Sequence, residues 1–200
     1  MAKSINQAFK KIKSDEYYTP SVLVSPIIQH AAEWASRFKA RHNRVPIVLM
    51  PFDTEKSEFV KVFSDHSGGK DNPLWSVKFG HIDTGQDFFT HDYGDWDICI
   101  SNPPFSRKLS VFKALDSTGK PYAMIMNCMA LNYHQIIDCF CGREPQLLFF
   151  NKRVSYDGGG STFGSCYVCR DFLPKQILCE PLPHNNTGRH FVPSDMYGTK

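Results

Sequence analysis

No long uncharged apolar run is present in the sequence, so a transmembrane helix is not expected. The first residues, MAKSINQAFKKIKSDEYY, lack the apolar stretch and cleavage site of a signal peptide. An excess of one charge is nearly missing too: 23 Lys and Arg face 20 Asp and Glu, a net of +3. That balance permits nucleic-acid binding without arguing for it as a strongly basic domain would. There is no internal repeat and no long linker. Zinc-ribbon spacing is also absent. Cys139 and Cys141 form a C-x-C and Cys166 and Cys169 a C-x-x-C, but 24 residues separate the pairs. Cys166-Tyr-Val-Cys169 further reads as a strand, on which both thiols cannot face one ion. No metal is therefore expected, and the cysteines read as small buried hydrophobes. An odd count of seven without a secretion signal suits free thiols in a reducing cytoplasm.

What is present fits an ordinary globular chain. Two hundred residues predict one domain, and 16 Phe, 8 Tyr and 3 Trp are too much apolar surface for a disordered one. Residues 1–14 read as a basic arm and 183–200 as an irregular tail. Ser21 to His42 carries a helical apolar period, limited by Pro26. Ile47–Met50, Trp75–Ile82, Trp96–Ile100 and Tyr122–Met129 read as strands. Helices are expected over Glu55–Asp65, Lys108–Leu115 and Asn132–Cys141. Leu147–Tyr156 and Cys166–Phe172 read as antiparallel strands around the flexible Gly158–Gly160 connection. Alternating strands and helices predict an α/β fold with a mostly parallel sheet covered on both faces. Such sheets bind ligands beyond the carboxyl ends of their strands, which directs attention to the segments after Met50, Ile82 and Ile100.

The most informative segment is Asp97-Ile-Cys-Ile-Ser-Asn-Pro-Pro-Phe105. An amide leaves the end of a buried strand, two prolines stiffen the loop, and an aromatic follows. The Asn102 oxygen and the Pro103 carbonyl can accept hydrogen bonds from an exocyclic amine. Phe105 can stack on the ring that carries it. The arrangement suits a planar ring with an amino group.

Asn102-Pro103-Pro104-Phe105 resembles the signature of adenine-specific (N6) DNA methyltransferases of the phage and restriction-modification type. Asp15-Glu-Tyr-Tyr-Thr-Pro20 resembles their N-terminal motif, Gly85-Gln-Asp-Phe-Phe89 their acidic cofactor segment, and Phe163–Pro174 the late hairpin of the phage-type members. The likeness spans residues 15–182 in matching order. It implies a Rossmann-like class I methyltransferase fold with a C-terminal antiparallel hairpin, in a single catalytic domain over 15–182. It further implies S-adenosylmethionine as cofactor, DNA as partner and a cytoplasmic setting in a bacterial or phage-infected cell.

By the same resemblance Asn102, Pro103, Pro104 and Phe105 would be catalytic. Tyr17, Tyr18, Thr19, Pro51, Phe52, Asp53, Asp87, Phe88 and Asn102 would hold the cofactor. Asp83 would take the ribose hydroxyls, a role for which His81 competes. Phe105, Arg107, Lys108, Lys152 and Arg153 would meet the substrate. The chain departs from the family after its first strand, where Pro51-Phe-Asp-Thr-Glu-Lys-Ser57 replaces a glycine-rich loop. Glycines there let backbone approach a cofactor closely. Asp53 offers a partner for the cofactor's ammonium, and the helix start near Ser57 one for its carboxylate. The missing glycines leave open a second reading, a weak or inactive methyltransferase-like protein that binds DNA or inhibits. Methylation of RNA or of a protein Gln is a third. With nearly all residues in the catalytic fold, target choice would fall to short loops, a homodimer or a protein partner.

Overall fold

The computed structural model describes residues 18–69, 71–132, 134–140, 144–156 and 162–182. Tyr17, the arm over 1–14, the Gly158–Gly160 connection and the tail over 183–200 lie outside the described residues.

Helix α1 (Ser21–His42) forms because Leu23, Ile27, Ile28, Ala31, Trp34 and Ala35 recur at helical spacing, and all are buried. Pro26 removes one intrahelical bond, yet the helix continues through it. The helix stops at Asn43, whose left-handed φ of 52° an Asn side chain tolerates. There follow β1 (Ile47–Met50), α2 (Glu58–Asp65) and a minimal hairpin of β2 (Gly68–Gly69) with β3 (Asn72–Pro73). Next come β4 (Ser76–Phe79), β5 (Ile98–Ser101), α3 (Lys108–Thr118), β6 (Tyr122–Asn127) and α4 (His134–Cys139). The chain ends with β7 (Gln146–Phe150), a second short hairpin of β8 (Val154–Ser155) with β9 (Thr162–Phe163), β10 (Ser165–Arg170) and β11 (Ile177–Glu180).

Seven strands make the main sheet in the order β11-β7-β10-β6-β5-β1-β4. All run parallel except β10, which is antiparallel to both β6 and β7. The sheet is doubly wound, as expected. Period-two alternation splits each central strand between two cores. Val48, Met50, Ile98, Ile100, Ala123, Ile125, Tyr167 and Cys169 face α1 and α2. Leu49, Cys99, Tyr122, Met124, Met126, Cys166 and Val168 face α3 and α4. Cys166 and Cys169 therefore sit on opposite faces of one strand. Arg44 grips Asp97 with two guanidinium nitrogens, at 2.7 and 2.5 Å, and the Ile47 N–H donates to the same carboxylate at 2.8 Å. That knot fixes the start of β1 against the entry of β5. No helix among the described residues is long and apolar enough to cross a membrane.

Several elements differ from the sequence expectation: the strand expected over Trp75–Ile82 ends at Phe79, ahead of a 3-10 turn over Ile82–Thr84, and that over Tyr122–Met129 ends at Asn127, where another 3-10 turn begins. Helix α2 starts at Glu58 rather than Glu55, because Thr54 and Ser57 form a turn: the Thr54 N–H donates to Ser57 Oγ at 2.9 Å. The run Leu147–Tyr156 breaks after Phe150, and its end pairs in the separate β8–β9 hairpin. Asn132–Cys141 shortens to α4, since Cys128–Asn132 forms a 3-10 turn first. Finally, β11 adds a parallel edge strand that no sequence signal marked.

Candidate active site

The chain winds from β1 outward to β4, then returns to place β5 on the other side of β1. Ligands of doubly wound sheets bind at such a reversal, beyond the carboxyl ends of the strands. A cleft opens there. It is lined by residues following β1 (Pro51, Phe52, Asp53), β4 (His81, Ile82) and β5 (Asn102, Pro103, Pro104), and by Tyr18 and Thr19 ahead of α1.

Backbone bonds bring the strand ends together. The Gly80 N–H donates to Met50 O at 3.1 Å, and the Asp53 N–H donates to Gly80 O at 2.9 Å. The Asp53 carboxyl is thereby turned inward. It accepts from the Ser101 hydroxyl at the end of β5 and from Ser57 ahead of α2. Burial pushes its pKa up to about 7 despite those two bonds. Thr19 is also buried, and its Oγ1 has no hydrogen-bond partner among the described residues.

The far wall is the segment over 81–95. The Tyr93 hydroxyl donates to Gln86 O at 2.8 Å, and Lys78 Nζ donates to the carbonyls of Tyr93 and Asp95 at 2.6 and 2.8 Å. Gly80 makes room for this wall, since a Cβ there would stand 2.7 Å from the Tyr93 oxygen. Gly80→Val therefore overpacks the strand end. We expect a loss of about 1–3 kcal/mol, read as a fall of roughly 3–10 °C in the thermal midpoint. An unchanged midpoint in a differential scan would contradict this reading of the wall. Phe88 packs edge-to-face on Phe52 at 5.1 Å and on Phe89 at 5.2 Å, which gives the cleft an aromatic side.

The ionisable side chains of the cleft are mainly acidic. Asp53, Glu58 and Asp87 line it against Arg107. Glu58 occupies the first turn of α2 and pairs with Lys61 at 2.9 Å. Its charge already complements the helix dipole, so this end suits a cationic ligand group better than the carboxylate expected from the sequence. Arg107 lies 3.5 Å from Asp87 Oδ2, with its guanidinium 4.0 Å from the Phe89 ring centre, which holds it at the rim.

Of the residues singled out by sequence, the cleft brings together Tyr18, Thr19, Pro51, Phe52, Asp53, Asp87, Phe88, Asn102, Pro103, Pro104 and Arg107. Phe105 follows on the same loop and Lys108 opens α3; both are half-buried, and neither is part of the lining. Asp83 is exposed and is not part of the lining: its N–H donates to His81 Nδ1 at 3.2 Å, and His81 is the one in the wall. Lys152 and Arg153 follow β7 at the same sheet edge. They are three strands from β5, roughly 14 Å away at the usual strand spacing. Sequence reasoning did not single out Thr54, Glu58, Ile82 or Phe89. Phe89 stood within the Gly85–Phe89 segment, and its aromatic character was the available signal.

No protein-family model matches the sequence, and no curated protein does. Solved structures do. A "putative methyltransferase" from Thermoplasma acidophilum aligns over 75% of this chain and 67% of its own, at 9% identity and a TM-score of 0.36, which by itself does not define a fold. A "putative class I S-adenosylmethionine-dependent methyltransferase" from Listeria monocytogenes aligns over 90% of this chain and 70% of its own, at 11% identity and a TM-score of 0.54. With the parallel sheet, the antiparallel β10 and the cleft at the winding reversal, this likeness establishes the architecture: the chain has the Rossmann-like class I methyltransferase fold.

Proposed function

We propose that the protein transfers a methyl group from S-adenosylmethionine to the N6 amino group of adenine in DNA. One observation carries the reading. Asn102-Pro103-Pro104 leaves β5 directly into an acidic, aromatic-sided cleft at the winding reversal of a methyltransferase fold.

The residues present fit the cofactor. Asp53 and Glu58 suit its cationic end, and the unpartnered Thr19 Oγ1 offers a hydroxyl beside them. Asp87 suits the amino group of its adenine, with Phe52 and Phe88 as apolar walls. Bound there, S-adenosylmethionine would supply an electrophilic methyl group: its S–CH3 bond would break as N6–CH3 forms, S-adenosylhomocysteine would leave, and N6 would lose one proton to water. The protein's task is then positioning. The Asn102 oxygen and the Pro103 carbonyl accept from the target amine. This draws electron density onto N6 and aims its lone pair. Pro103 and Pro104 keep both acceptors in place by fixing φ. A base inside a duplex cannot reach this floor, so it must be flipped out, at a few kcal/mol. Phe105, next on the loop, is the proposed stacking partner. Arg107, Lys108, Lys152 and Arg153, all at this edge of the sheet, are the proposed phosphate contacts. Target choice beyond adenine is left to a homodimer or a protein partner.

The turn over 51–57 contains no glycine, which favours a second reading: a methyltransferase-like module that binds DNA without turnover. One assay separates the readings. Purified protein is incubated with tritiated S-adenosylmethionine and, in turn, duplex DNA, RNA and an unrelated protein pool. Label in DNA alone is expected. Label in RNA or protein alone would overturn the DNA assignment, and no label together with no heat of cofactor binding would favour the second reading.

A further inference from the structure

A second cleft lies at the opposite edge of the sheet, away from the candidate active site. The last turns of α1 form one side, with Arg37, Arg41 and His42; the entry of β5 and the turn after β10 form the other. Three rings stack along α1 at i, i+4 spacing: Trp34 on Phe38 at 5.2 Å and Phe38 on His42 at 4.3 Å, each tilted 29°. His42 is the exposed end of that stack.

The charges around it do not cancel. Asp97 spends its oxygens on Arg44 and on the Ile47 N–H, and those bonds hold its pKa below the usual carboxylate range. Asp171 lines the far side of the cleft, exposed and 3.8 Å from Arg170. Arg37 makes one bond, from Nη2 to Phe172 O at 3.2 Å, which leaves most of its fork unused. Arg41 is exposed, and no hydrogen bond or ion pair engages it among the described residues. Two guanidinium groups and an exposed ring therefore flank a groove in which Asp97 is neutralised by Arg44 and Asp171 lies on the far side, near Arg170.

From this we infer that the groove at the amino edge of the sheet binds a single strand of nucleic acid, with Arg37 and Arg41 on successive phosphates and His42 offering its face to a base. Guanidinium forks match phosphate oxygens, and stacking on an exposed ring is tolerant of sequence. An acidic peptide would satisfy the arginines but leave the ring without a planar partner. The inference stands apart from methyl transfer, because no residue of the first cleft takes part.

The test is fluorescence anisotropy with a labelled single-stranded oligonucleotide of about 15 nucleotides, read from about 50 to 200 mM salt. In the intact protein log K falls with log salt, and each phosphate neutralised contributes roughly 0.7 to the slope. Arg37→Gln/Arg41→Gln should weaken binding about tenfold or more at the lowest salt and reduce the slope by about 1.4. Arg41→Gln alone, which breaks no contact described here, should reduce it by about 0.7 with the thermal midpoint unchanged. Unchanged affinity and slope in both variants would overturn the inference. Equal competition by a poly-glutamate peptide of matched charge, or by a mononucleotide, would also overturn it.

Discussion

Asn102→Ala is expected to keep the affinity for S-adenosylmethionine within about twofold and to lose roughly a hundred- to a thousandfold in methyl transfer. The side chain stands at the exit of β5 and lines the cleft beside Pro103. Its neighbour Ser101 is fully buried and bonded to Asp53, so the strand end cannot drift when the amide is removed. Truncation therefore removes one acceptor for the target amine without rebuilding the pocket. The amine would still meet the Pro103 carbonyl, but with one bond it can swing, and loss of alignment at a reacting atom is costly. Asn102→Asp keeps an oxygen acceptor at the same reach and should retain more activity than the Ala variant. The check is a steady-state assay paired with calorimetry of cofactor binding. A variant that transfers methyl groups at the parental rate would show that Asn102 does not touch the substrate.

The second large effect concerns Asp53, whose carboxyl is almost wholly removed from solvent and whose pKa is raised to about 7. An acid with a raised folded-state pKa binds more protons when folded than when unfolded. Stability is then full below the unfolded value of 3.8, falls as pH rises towards 7 and levels off above it. The total swing is of order 4 kcal/mol. A thermal midpoint that declines between about pH 4 and pH 7 is therefore expected for the ligand-free protein. Asp53→Asn should flatten that decline, because the amide carries no charge to bury. A cationic ligand reverses the preference by stabilising the carboxylate. Cofactor affinity should therefore rise as pH climbs through about 7 in the parent. In Asp53→Asn it should be lower by tenfold or more at pH 8 and nearly independent of pH, as expected when one desolvated ion pair is lost. Parallel pH profiles of parent and variant, in both melting and binding, would remove Asp53 from the account.

The sequence carried the centre of the sheet better than its margins. Ile47–Met50 and Trp96–Ile100 were legible because strands buried on both faces must be continuously apolar. Helix α1 was legible through its seven-residue periodic face. The margin strand β11 was not, since Ile177–Glu180 lies at the sheet edge, alternates exposed and half-exposed positions and is not continuously apolar. The insertion of β10 between β6 and β7 is a long-range pairing that no local pattern encodes. The site divides in the same way. Asn102, Pro103 and Pro104 follow from one short motif at a strand end. That His81 and not Asp83 lines the cleft follows from the 3-10 turn Ile82–Thr84, in which the Asp83 N–H donates to His81 Nδ1. The hold of Asp87 and Phe89 on Arg107 at the rim appears only in the folded chain. The acidic character of the cleft arises from residues 58 and 87, which are far apart in the chain and meet only once the sheet is wound.

The chemistry of the product distinguishes adenine N6 transfer from every other methylation. Duplex DNA is incubated with the protein and S-adenosylmethionine, digested to nucleosides and separated by mass. N6-methyldeoxyadenosine is expected as the new nucleoside, and is expected to be missing when Asn102→Ala replaces the parent protein. Methyl groups found on cytosine, or N6-methyldeoxyadenosine formed equally by the Asn102→Ala variant, would contradict the proposed transfer.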